Sequence, residues 1–274
     1  MAARQGHHLM TGTPETRDGP DLPALVAMIS DIAIRAAAEI QQVAARPFEV
    51  SEKPDTSPVT EADERAEAII LAGLKAHYPD IPVVAEEEVA AGRIPDVSAG
   101  RFFLVDPLDG TKEFINRNGE FTVNIALIEA GEPVLGVVLA PALGRLYAGA
   151  RDLGAFVEDA EGHRPIRVRE APDAGLTVVA SRSHGDAEAL ARFLEGRRVA
   201  ETRNAGSSLK ICLVASGEAD VYPRLGRTME WDIAAGHAVL AAAGGRLVAL
   251  DGSSLNYGKP GFDNPHFSAW GAGD

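Results

Sequence analysis

The segment FLVDPLDGTKEF, residues 103–114, joins an apolar run to a group of charged and turn-forming residues. Its first three residues have the character of a buried strand. Asp106 and Asp109 follow at once, together with a glycine, a threonine and a lysine. A bound cation would explain why a strand leaving a hydrophobic core ends in clustered negative charge.

The whole chain is acidic and has an ordinary globular composition. It contains 274 residues, with a formal net charge of -14 and a pI of about 4.9. This charge disfavours broad binding to nucleic acid or to a membrane surface, because both require a basic face. A small anion is still compatible with it, provided that a bound cation inverts the local field. We therefore expect no nucleic-acid partner.

Cys212 is the only cysteine, so the chain has no internal disulfide and no cysteine-based zinc cluster. It lies in the apolar helical stretch LKICLVA, which predicts a buried thiol rather than a nucleophile. No apolar segment has the character of a signal peptide or the length of a membrane span. These features predict a cytoplasmic protein without stable membrane insertion, with residues 1–21 as a flexible tail.

Hydrophobic periodicity in residues 22–170 predicts two helices followed by strands. The helices cover residues 22–43 and most of SPVTEADERAEAIILAGLKAHYPD, where Thr60 is the expected N-cap and Asp63 lies three residues later. Strands are predicted at IPVVAE, RFFLVD and the alternating stretch FTVNIALIEAG. A β-rich meander over 133–169 pairs PVLGVVLAP with RLYAGARDLGAFVE.

Beyond a linker at 170–175, residues 171–274 alternate between strand and helix patterns. LTVVASRSH and ADVYPRL are typical of strands, whereas DAEALARFLEG, SSLKICLVASG and WDIAAGHAVLAAAGG are typical of helices. The last of these ends on glycines suited to a left-handed C-cap. The chain is therefore predicted to be a layered α+β protein with two sub-domains.

Four acidic side chains have the character of a metal centre: Glu86, Asp106, Asp109 and Asp232. Carboxylate oxygens are the ligands that Mg²⁺ prefers, and it usually takes only a few from the protein. A turn at Pro107 would direct both aspartates of DPLDG and the Leu108 carbonyl toward one point. Without a cation, each carboxylate pair about 4 Å apart would cost roughly 4 kcal/mol at an effective dielectric near 20.

Each acidic feature also has a simpler explanation. DPLDG is a good turn sequence, the EEE run is typical of a solvated surface, and Asp232 would suit the first turn of a helix. Asp63 could merely complete a capping box. Taken together, with two carboxylates ending an apolar strand, they favour the metal centre.

Hydrolysis of a phosphate ester by a metal centre also needs a correctly oriented water. A threonine hydroxyl held by an aspartate could orient that water or accept its proton, and Thr111 and Asp63 are the candidates. The two residues lie far apart in the sequence, so spacing alone does not bring them together.

The motif DPLDGTKEF, preceded by AEEE and followed by WDIAAGHAVLAAAGG, resembles the lithium-sensitive, magnesium-dependent phosphatases of the inositol monophosphatase superfamily. Within it, LVDPLDGTKEFINRNGEFTVNIALIEAG, SRSH, GSSLKICLVASGEAD and YPR are similar to the CysQ-type 3'(2'),5'-bisphosphate nucleotidases. The resemblance extends from about Leu22 to Trp270. It implies a layered α/β/α/β/α sandwich of the inositol monophosphatase and fructose-1,6-bisphosphatase type.

The resemblance also implies a role for each matching residue. Glu86, Asp106, Asp109, Asp232 and the Leu108 carbonyl would hold two or three Mg²⁺ ions, and Li⁺ would inhibit. Asp63 and Thr111 would position the attacking water. Gly110 and Thr111 would meet the scissile phosphate at a helix start, where free N–H groups favour anions. Glu86, Leu108, Asp109 and Asp232 would border the same substrate.

The expected substrate is 3'-phosphoadenosine 5'-phosphate, and its 5'-phosphosulfate form is a second candidate. Loss of the 3'-phosphate would give AMP and phosphate, a recycling step in sulfur metabolism. The residues that match those around the nucleotide in the family are His184, Ser207, Lys210 and Arg224. Lys210 and Arg224 are chemically suited to a second phosphate, although each could instead be a solvated surface residue.

Two other functions stay open at this point. The first is an inositol 1-phosphate or sugar phosphate phosphatase of the same superfamily, although those proteins more typically carry DGTxNF where this chain has DGTKEF. The second is a non-catalytic sensor of metal and nucleotide, which the presence of both Asp63 and Thr111 disfavours. The oligomeric state is also open, with a homodimer as one option.

Overall fold

The structure is a computed structural model that describes residues 21–53, 56–181 and 186–272. In this part of the chain a seven-stranded sheet has its strands in sequential order. They are β3 (Val83–Ala85), β4 (Arg101–Asp109), β5 (Thr122–Glu129), β6 (Glu132–Ala140), β7 (Arg145–Ala150), β8 (Gly154–Asp159) and β9 (Gly162–Ile166). A small antiparallel pair, β1 (Val50–Glu52) and β2 (Pro58–Thr60), precedes it.

A second sheet of five strands follows in the later part of the described chain. Its strands are β10 (Leu176–Ser181), β11 (Val199–Ala205), β12 (Val221–Arg224), β13 (Arg246–Ala249) and β14 (Phe267–Trp270), in the spatial order β11-β10-β12-β14-β13. The helices are α1 (Leu22–Ala44), α2 (Glu61–His77), α3 (Glu86–Ala90), α4 (Thr111–Ile115), α5 (Ala187–Phe193), α6 (Leu209–Ala215) and α7 (Glu230–Ala242). Short 3₁₀ turns lie at Pro141–Leu143 and Pro260–Phe262.

Alternation along β4 shows how the layers are built. Phe103 and Val105 join the core formed with α1 and α2, whereas Phe102 and Leu104 join the core formed with α6 and α7. Both faces of the seven-stranded sheet are therefore covered. For the same reason β5, the strand predicted at FTVNIALIEAG, is buried from Thr122 through Ile128 although its sequence alternates.

The five-stranded sheet closes the sandwich on the other side of α6 and α7. Its inner face shares their core, and α5 covers the outer face, where Phe193 lies 5.9 Å from the ring of Trp270. The order of layers is helices, sheet, helices, sheet, helix. This confirms the predicted α/β/α/β/α sandwich.

Helix α7 lies on the seven-stranded sheet over a pair of glycines. Gly136 of β6 and Gly149 of β7 are cross-strand partners. A Cβ at Gly136 would lie only 2.8 Å from the Cα of Ala235, and one at Gly149 would lie 2.9 Å from the Cα of Val239. The absence of side chains at these two positions lets α7 approach the strands closely, and α7 carries Asp232.

The helices predicted in both halves are observed, with small shifts of their ends. Helix α7 begins at Glu230, one residue before the predicted stretch, and Asp232 lies in its first turn. The residues EEE form the first turn of α3, which the sequence had not predicted. Strand β11 was also missed, because six of its seven residues are exposed and carry no apolar pattern.

The chain passes from one sheet to the other between Ile166 and Leu176. The division into sub-domains near residue 170 stays a prediction, and the predicted tail at 1–21 lies almost entirely outside the described residues. In the described ranges, no helix has both the length and the apolar character needed to cross a bilayer.

Candidate active site

Strand β4 brings the two aspartates of DPLDG to the same face of the sheet. Asp106 pairs with Asn124 of β5, and Asp109 pairs with Thr122, so β4 carries one extra residue in this interval. Such a bulge reverses the alternation of side chains, and without it the two aspartates would point to opposite faces. The predicted turn at Pro107 was therefore wrong in form, because the strand continues through Asp109.

The other two acidic candidates meet these aspartates from separate elements. Glu86 begins α3 at the end of β3, and Asp232 lies in the first turn of α7. Burial, together with the charges of Glu86, Asp109 and Asp232, raises the pKa of Asp106 well above its ordinary value. Burial and the charges of Asp109 and Glu86 raise the pKa of Asp232 in the same way. The structure thus places the four predicted carboxylates close enough to repel one another.

This acidic group has the chemistry of a divalent-cation centre. Asp106 is only 2% exposed, and buried carboxylates that repel one another require positive charge nearby. In the described ranges, no three acidic, histidine or cysteine side chains by themselves surround a common point. Mg²⁺ does not need such a cage, since it binds through one or two carboxylates and retains several waters. The donor set therefore fits Mg²⁺, with the Leu108 carbonyl as a further oxygen.

Asp63 and Thr111 are brought into contact by the fold. The Thr111 hydroxyl lies 3.1 Å from Asp63 Oδ1 and 3.3 Å from the Leu108 carbonyl oxygen. Asp63 Oδ2 accepts hydrogen bonds from the Thr60 amide and the Thr60 hydroxyl, at 2.8 and 2.7 Å. The predicted capping box is therefore present, and the same carboxylate serves as a helix cap and as the partner of Thr111. Burial raises the pKa of Asp63 to about 6, against the effect of these hydrogen bonds.

Two charged residues at the centre were missed by sequence reasoning. Glu67 lies one helical turn after Asp63 on α2. Its carboxylate accepts hydrogen bonds from the amides of Glu87 and Glu88, at 2.8 and 3.0 Å, and so fixes the first turn of α3. Its spacing from Asp63 was a signal that could have been used. Lys53 places its ammonium 2.6 Å from both Glu86 Oε1 and Glu87 Oε1, and nothing in the sequence pattern predicts that contact.

A cavity of about 220 Å³ opens beside the carboxylates. Its lining includes an acidic set, Glu86, Asp109 and Asp232, called here the acidic part, and a polar and basic set, Ser207, Lys210 and Arg224, called here the basic part. Gly110 and Thr111 belong to the same lining, and Gly110 has a φ of 91° that favours glycine. Asp106 and Leu108 lie behind this surface as buried residues.

Lys210 is not the solvated helix lysine that the sequence left as an alternative. It is 5% exposed, its Nζ donates to the Ser207 carbonyl at 2.6 Å, and it lies 5.4 Å from the centre of the Tyr222 ring. Burial and the charge of Arg224 lower its pKa to about 8, against the opposing effect of the Asp109 carboxylate. Two cations that repel each other beside one cavity favour a bound anion.

Ser207 and Arg224 complete this basic part of the cavity. Ser207 has a φ of 46°, and its buried hydroxyl has no hydrogen-bond partner among the described residues. Arg224 ends β12 and donates from Nη2 to the Arg227 carbonyl at 2.7 Å. The fourth predicted residue, His184, lies outside the described residues.

Ser208 joins this basic region to the carboxylates. Its amide donates to Asp109 Oδ2 at 2.7 Å, and its hydroxyl donates to the carbonyl of Asp232 at 2.5 Å. Asn124, fully buried on β5, donates to the Ser208 hydroxyl at 3.0 Å. The first turn of α6, strand β4 and helix α7 are therefore held in one network.

Comparisons with known proteins identify the family of this chain. The sequence model of the Inositol monophosphatase family matches residues 21–271. The 3'(2'),5'-bisphosphate nucleotidase CysQ of Salmonella typhimurium is 48% identical over 246 residues, covering 89% of this chain and 98% of that protein. The same-named protein of Escherichia coli strain K12 is 46% identical with the same coverage.

Solved structures show the same architecture. CysQ from Bacteroides thetaiotaomicron, a bacterial member of the inositol monophosphatase family, aligns with a TM-score of 0.80 and 36% identity, covering 93% of this chain and all of that one. The inositol monophosphatase TM1415 of Thermotoga maritima aligns with a TM-score of 0.74 and 28% identity, covering 90% and 92%. With the buried carboxylates, the Asp63–Thr111 pair and the layered sandwich, these matches show that the chain belongs to the inositol monophosphatase family.

Proposed function

We propose that this protein is a magnesium-dependent 3'(2'),5'-bisphosphate nucleotidase. Its substrate is 3'-phosphoadenosine 5'-phosphate, which it converts to AMP and phosphate, and the 5'-phosphosulfate form is a second substrate. The observation that carries the proposal is that acidic side chains and basic side chains line one and the same cavity. A molecule with two phosphates can use both parts at once.

The acidic part accommodates the scissile phosphate through cations. Glu86, Asp106, Asp109, Asp232 and the Leu108 carbonyl would hold Mg²⁺, which lowers the pKa of an attacking water and neutralises charge on the phosphoryl oxygens. The raised pKa values of Asp106 and Asp232 support this assignment, since a divalent cation relieves the repulsion that raises them.

Asp63 and Thr111 orient the nucleophile. When the Thr111 hydroxyl donates to Asp63 Oδ1, its oxygen lone pairs are left free to accept a hydrogen bond from water. As that water attacks, it passes a proton to the Thr111 oxygen while Asp63 takes the hydroxyl proton. The Asp63 pKa of about 6 lies close enough to neutral pH for this transfer to be reversible. The intact pair also argues against a non-catalytic sensor.

The basic part selects the second phosphate. Lys210 and Arg224 approach the cavity from α6 and β12, and the unpartnered hydroxyl of Ser207 adds a donor beside them. An inositol monophosphate has no second phosphate to pair with these cations. His184 would join them, and this part of the assignment rests on the sequence resemblance alone. The high identity to proteins named CysQ supports the same substrate class.

The deciding experiment measures phosphate release from 3'-phosphoadenosine 5'-phosphate and from inositol 1-phosphate side by side. Each is assayed with Mg²⁺ and with chelator. We expect strong preference for the nucleotide, and activity only with the metal. Preference for inositol 1-phosphate would overturn the substrate assignment and leave the metal centre intact.

Two variants separate the two parts of the cavity. Asp106→Asn should abolish hydrolysis of both substrates, whereas Asp96→Asn, at an exposed carboxylate, should leave it unchanged. Lys210→Ala should lower kcat/KM for the nucleotide by about 10- to 100-fold, because a charge-assisted contact to phosphate is lost. Its effect on inositol 1-phosphate should be much smaller, and equal losses would remove Lys210 from substrate selection.

Inhibition by Li⁺ and the binding of two or three Mg²⁺ ions are part of this proposal. Lithium insensitivity at high concentration would count against it. The cytoplasmic location and the homodimer stay predictions from the sequence.

A further inference from the structure

Lys53 directly follows the exposed strand β1 and occupies an unusual position for a lysine. All three residues of β1 are exposed, yet the Lys53 side chain that follows them is only 8% exposed. Its backbone is fixed on both sides, since its amide donates to the Ser57 carbonyl at 2.8 Å and its carbonyl accepts from the Thr56 amide at 2.9 Å. These two backbone hydrogen bonds therefore fix the position from which the Lys53 side chain reaches the acidic centre.

The ammonium joins one predicted metal ligand to one carboxylate that has no such role. It lies 2.6 Å from Glu86 Oε1 and 2.6 Å from Glu87 Oε1. Glu86 lines the cavity with Asp109 and Asp232. Lys53 is thus a cation already bound where a divalent cation is expected.

We propose that Lys53 is an intramolecular counter-ion of the acidic centre that competes with the metal for Glu86. This inference rests on the proposed metal centre. When Mg²⁺ binds, the ammonium leaves Glu86 and keeps its contact with Glu87, so Glu87 retains the lysine near the centre. The lysine stabilises the metal-free protein and weakens metal affinity at the same time.

The competition follows from geometry and charge. An oxygen that accepts a close N⁺–H···O⁻ hydrogen bond has one of its lone-pair directions filled, and Mg²⁺ requires near-ideal octahedral geometry at its oxygens. A retained ammonium would also repel a divalent ion bound to the same carboxylate. The Glu67 carboxylate accepts hydrogen bonds from the amides of Glu87 and Glu88 and so holds α3 in place. The Lys53 side chain is therefore the group that moves when the metal binds Glu86.

The first test measures Mg²⁺ binding by calorimetry to metal-stripped protein without substrate. Lys53→Met keeps the length of the side chain and removes its charge, and it should bind Mg²⁺ about tenfold more tightly than the wild type, because its competitor is gone. Lys53→Arg should stay close to wild type. Lys75→Met, at an exposed position on α2, is the matched control and should leave the affinity unchanged. Unchanged or weaker binding by Lys53→Met would refute the competition.

A second readout uses melting temperature in chelator. Lys53→Met should melt lower than wild type without metal, and saturation with Mg²⁺ should remove most of that difference. An equal deficit with and without Mg²⁺ would show a purely structural role and overturn the proposal.

A third readout needs no variant. The ¹⁵N signal of the Lys53 ammonium in wild-type protein should shift when Mg²⁺ is added to saturation, and a signal that does not change would contradict the displacement. Absence of any Mg²⁺ binding by wild type would instead refute the metal centre itself, which distinguishes failure of the proposed function from failure of this inference.

Discussion

Replacing Gly136 by alanine tests whether the close seating of α7 on the sheet positions Asp232. The added Cβ would lie 2.8 Å from the Cα of Ala235 and still closer to its carbonyl oxygen. Non-bonded carbon atoms prefer separations of about 3.5–4.0 Å. Helix α7 must therefore retreat by about 1 Å at Ala235, one turn beyond Asp232.

Both stability and activity should fall. Forcing an extra methyl group into a packed interface costs about 1–3 kcal/mol or more, and this contact is with backbone, so we expect about 3 kcal/mol. At about 2–4 °C per kcal/mol for a chain near this size, the melting temperature should drop by about 6–12 °C. A displacement of about 1 Å at a catalytic centre can cost about 100-fold in rate, and we expect a loss of that order in kcat.

The control is the neighbouring glycine on the next strand. Gly149→Ala would crowd the same helix at Val239 and Ala242, farther from Asp232, and should lower the melting temperature with less than about threefold loss of kcat. Differential scanning calorimetry and phosphate release would be measured on both variants. A Gly136→Ala protein with wild-type melting temperature would refute the packing argument, and equal activity losses in the two variants would refute the link to Asp232.

Three further outcomes are expected. Burial lowers the pKa of His237 from 6.5 to about 4, and its ring lies 2.8 Å from the Tyr257 hydroxyl. The contribution of His237 to the free energy of unfolding should therefore be fully present above pH 6.5, and up to about 3 kcal/mol should be lost as the pH drops toward 4. In urea titrations, His237→Leu should flatten this dependence on pH. Asp220→Asn should lower the free energy of unfolding by about 1–3 kcal/mol, since Asp220 is 3% exposed and accepts hydrogen bonds from Arg169 at 2.8 and 2.9 Å. An unchanged urea midpoint would exclude that contribution. Burial raises the pKa of the Cys212 thiol, so a chromogenic disulfide reagent should react only after unfolding, and rapid reaction with native protein would contradict the buried position.

Local motifs carried most of what could be predicted. The apolar run before Asp106, the capping pair Thr60 and Asp63, and the long helices with clear periodicity all follow from short-range patterns. Strand β11 does not, because its exposed residues at a sheet edge have no alternation to detect. The bulge in β4 could not be predicted either, because the extra residue is defined only by the pairing of β4 with β5.

The site shows the same limit. The carboxylates could be identified one by one, because each ends a strand or begins a helix. Their grouping, the contact between Asp63 and Thr111, and the burial of Lys210 depend on how distant elements dock. Lys53 and Glu67 were missed for that reason, since a charged residue looks solvated until the fold places a carboxylate or an amide beside it.

The Ser208 network has a consequence for the order in which the chain folds. It joins α6 to Asp109 on β4 and to Asp232 on α7, so its contacts close long loops of chain. Closing these loops costs conformational entropy, and the contacts can stabilise the protein only after the loops have closed. On refolding, hairpins and helices should recover first, and the ability to release phosphate should return last, when the two sheets dock on α6 and α7. A chain arrested before that step would show native-like circular dichroism and have no working centre.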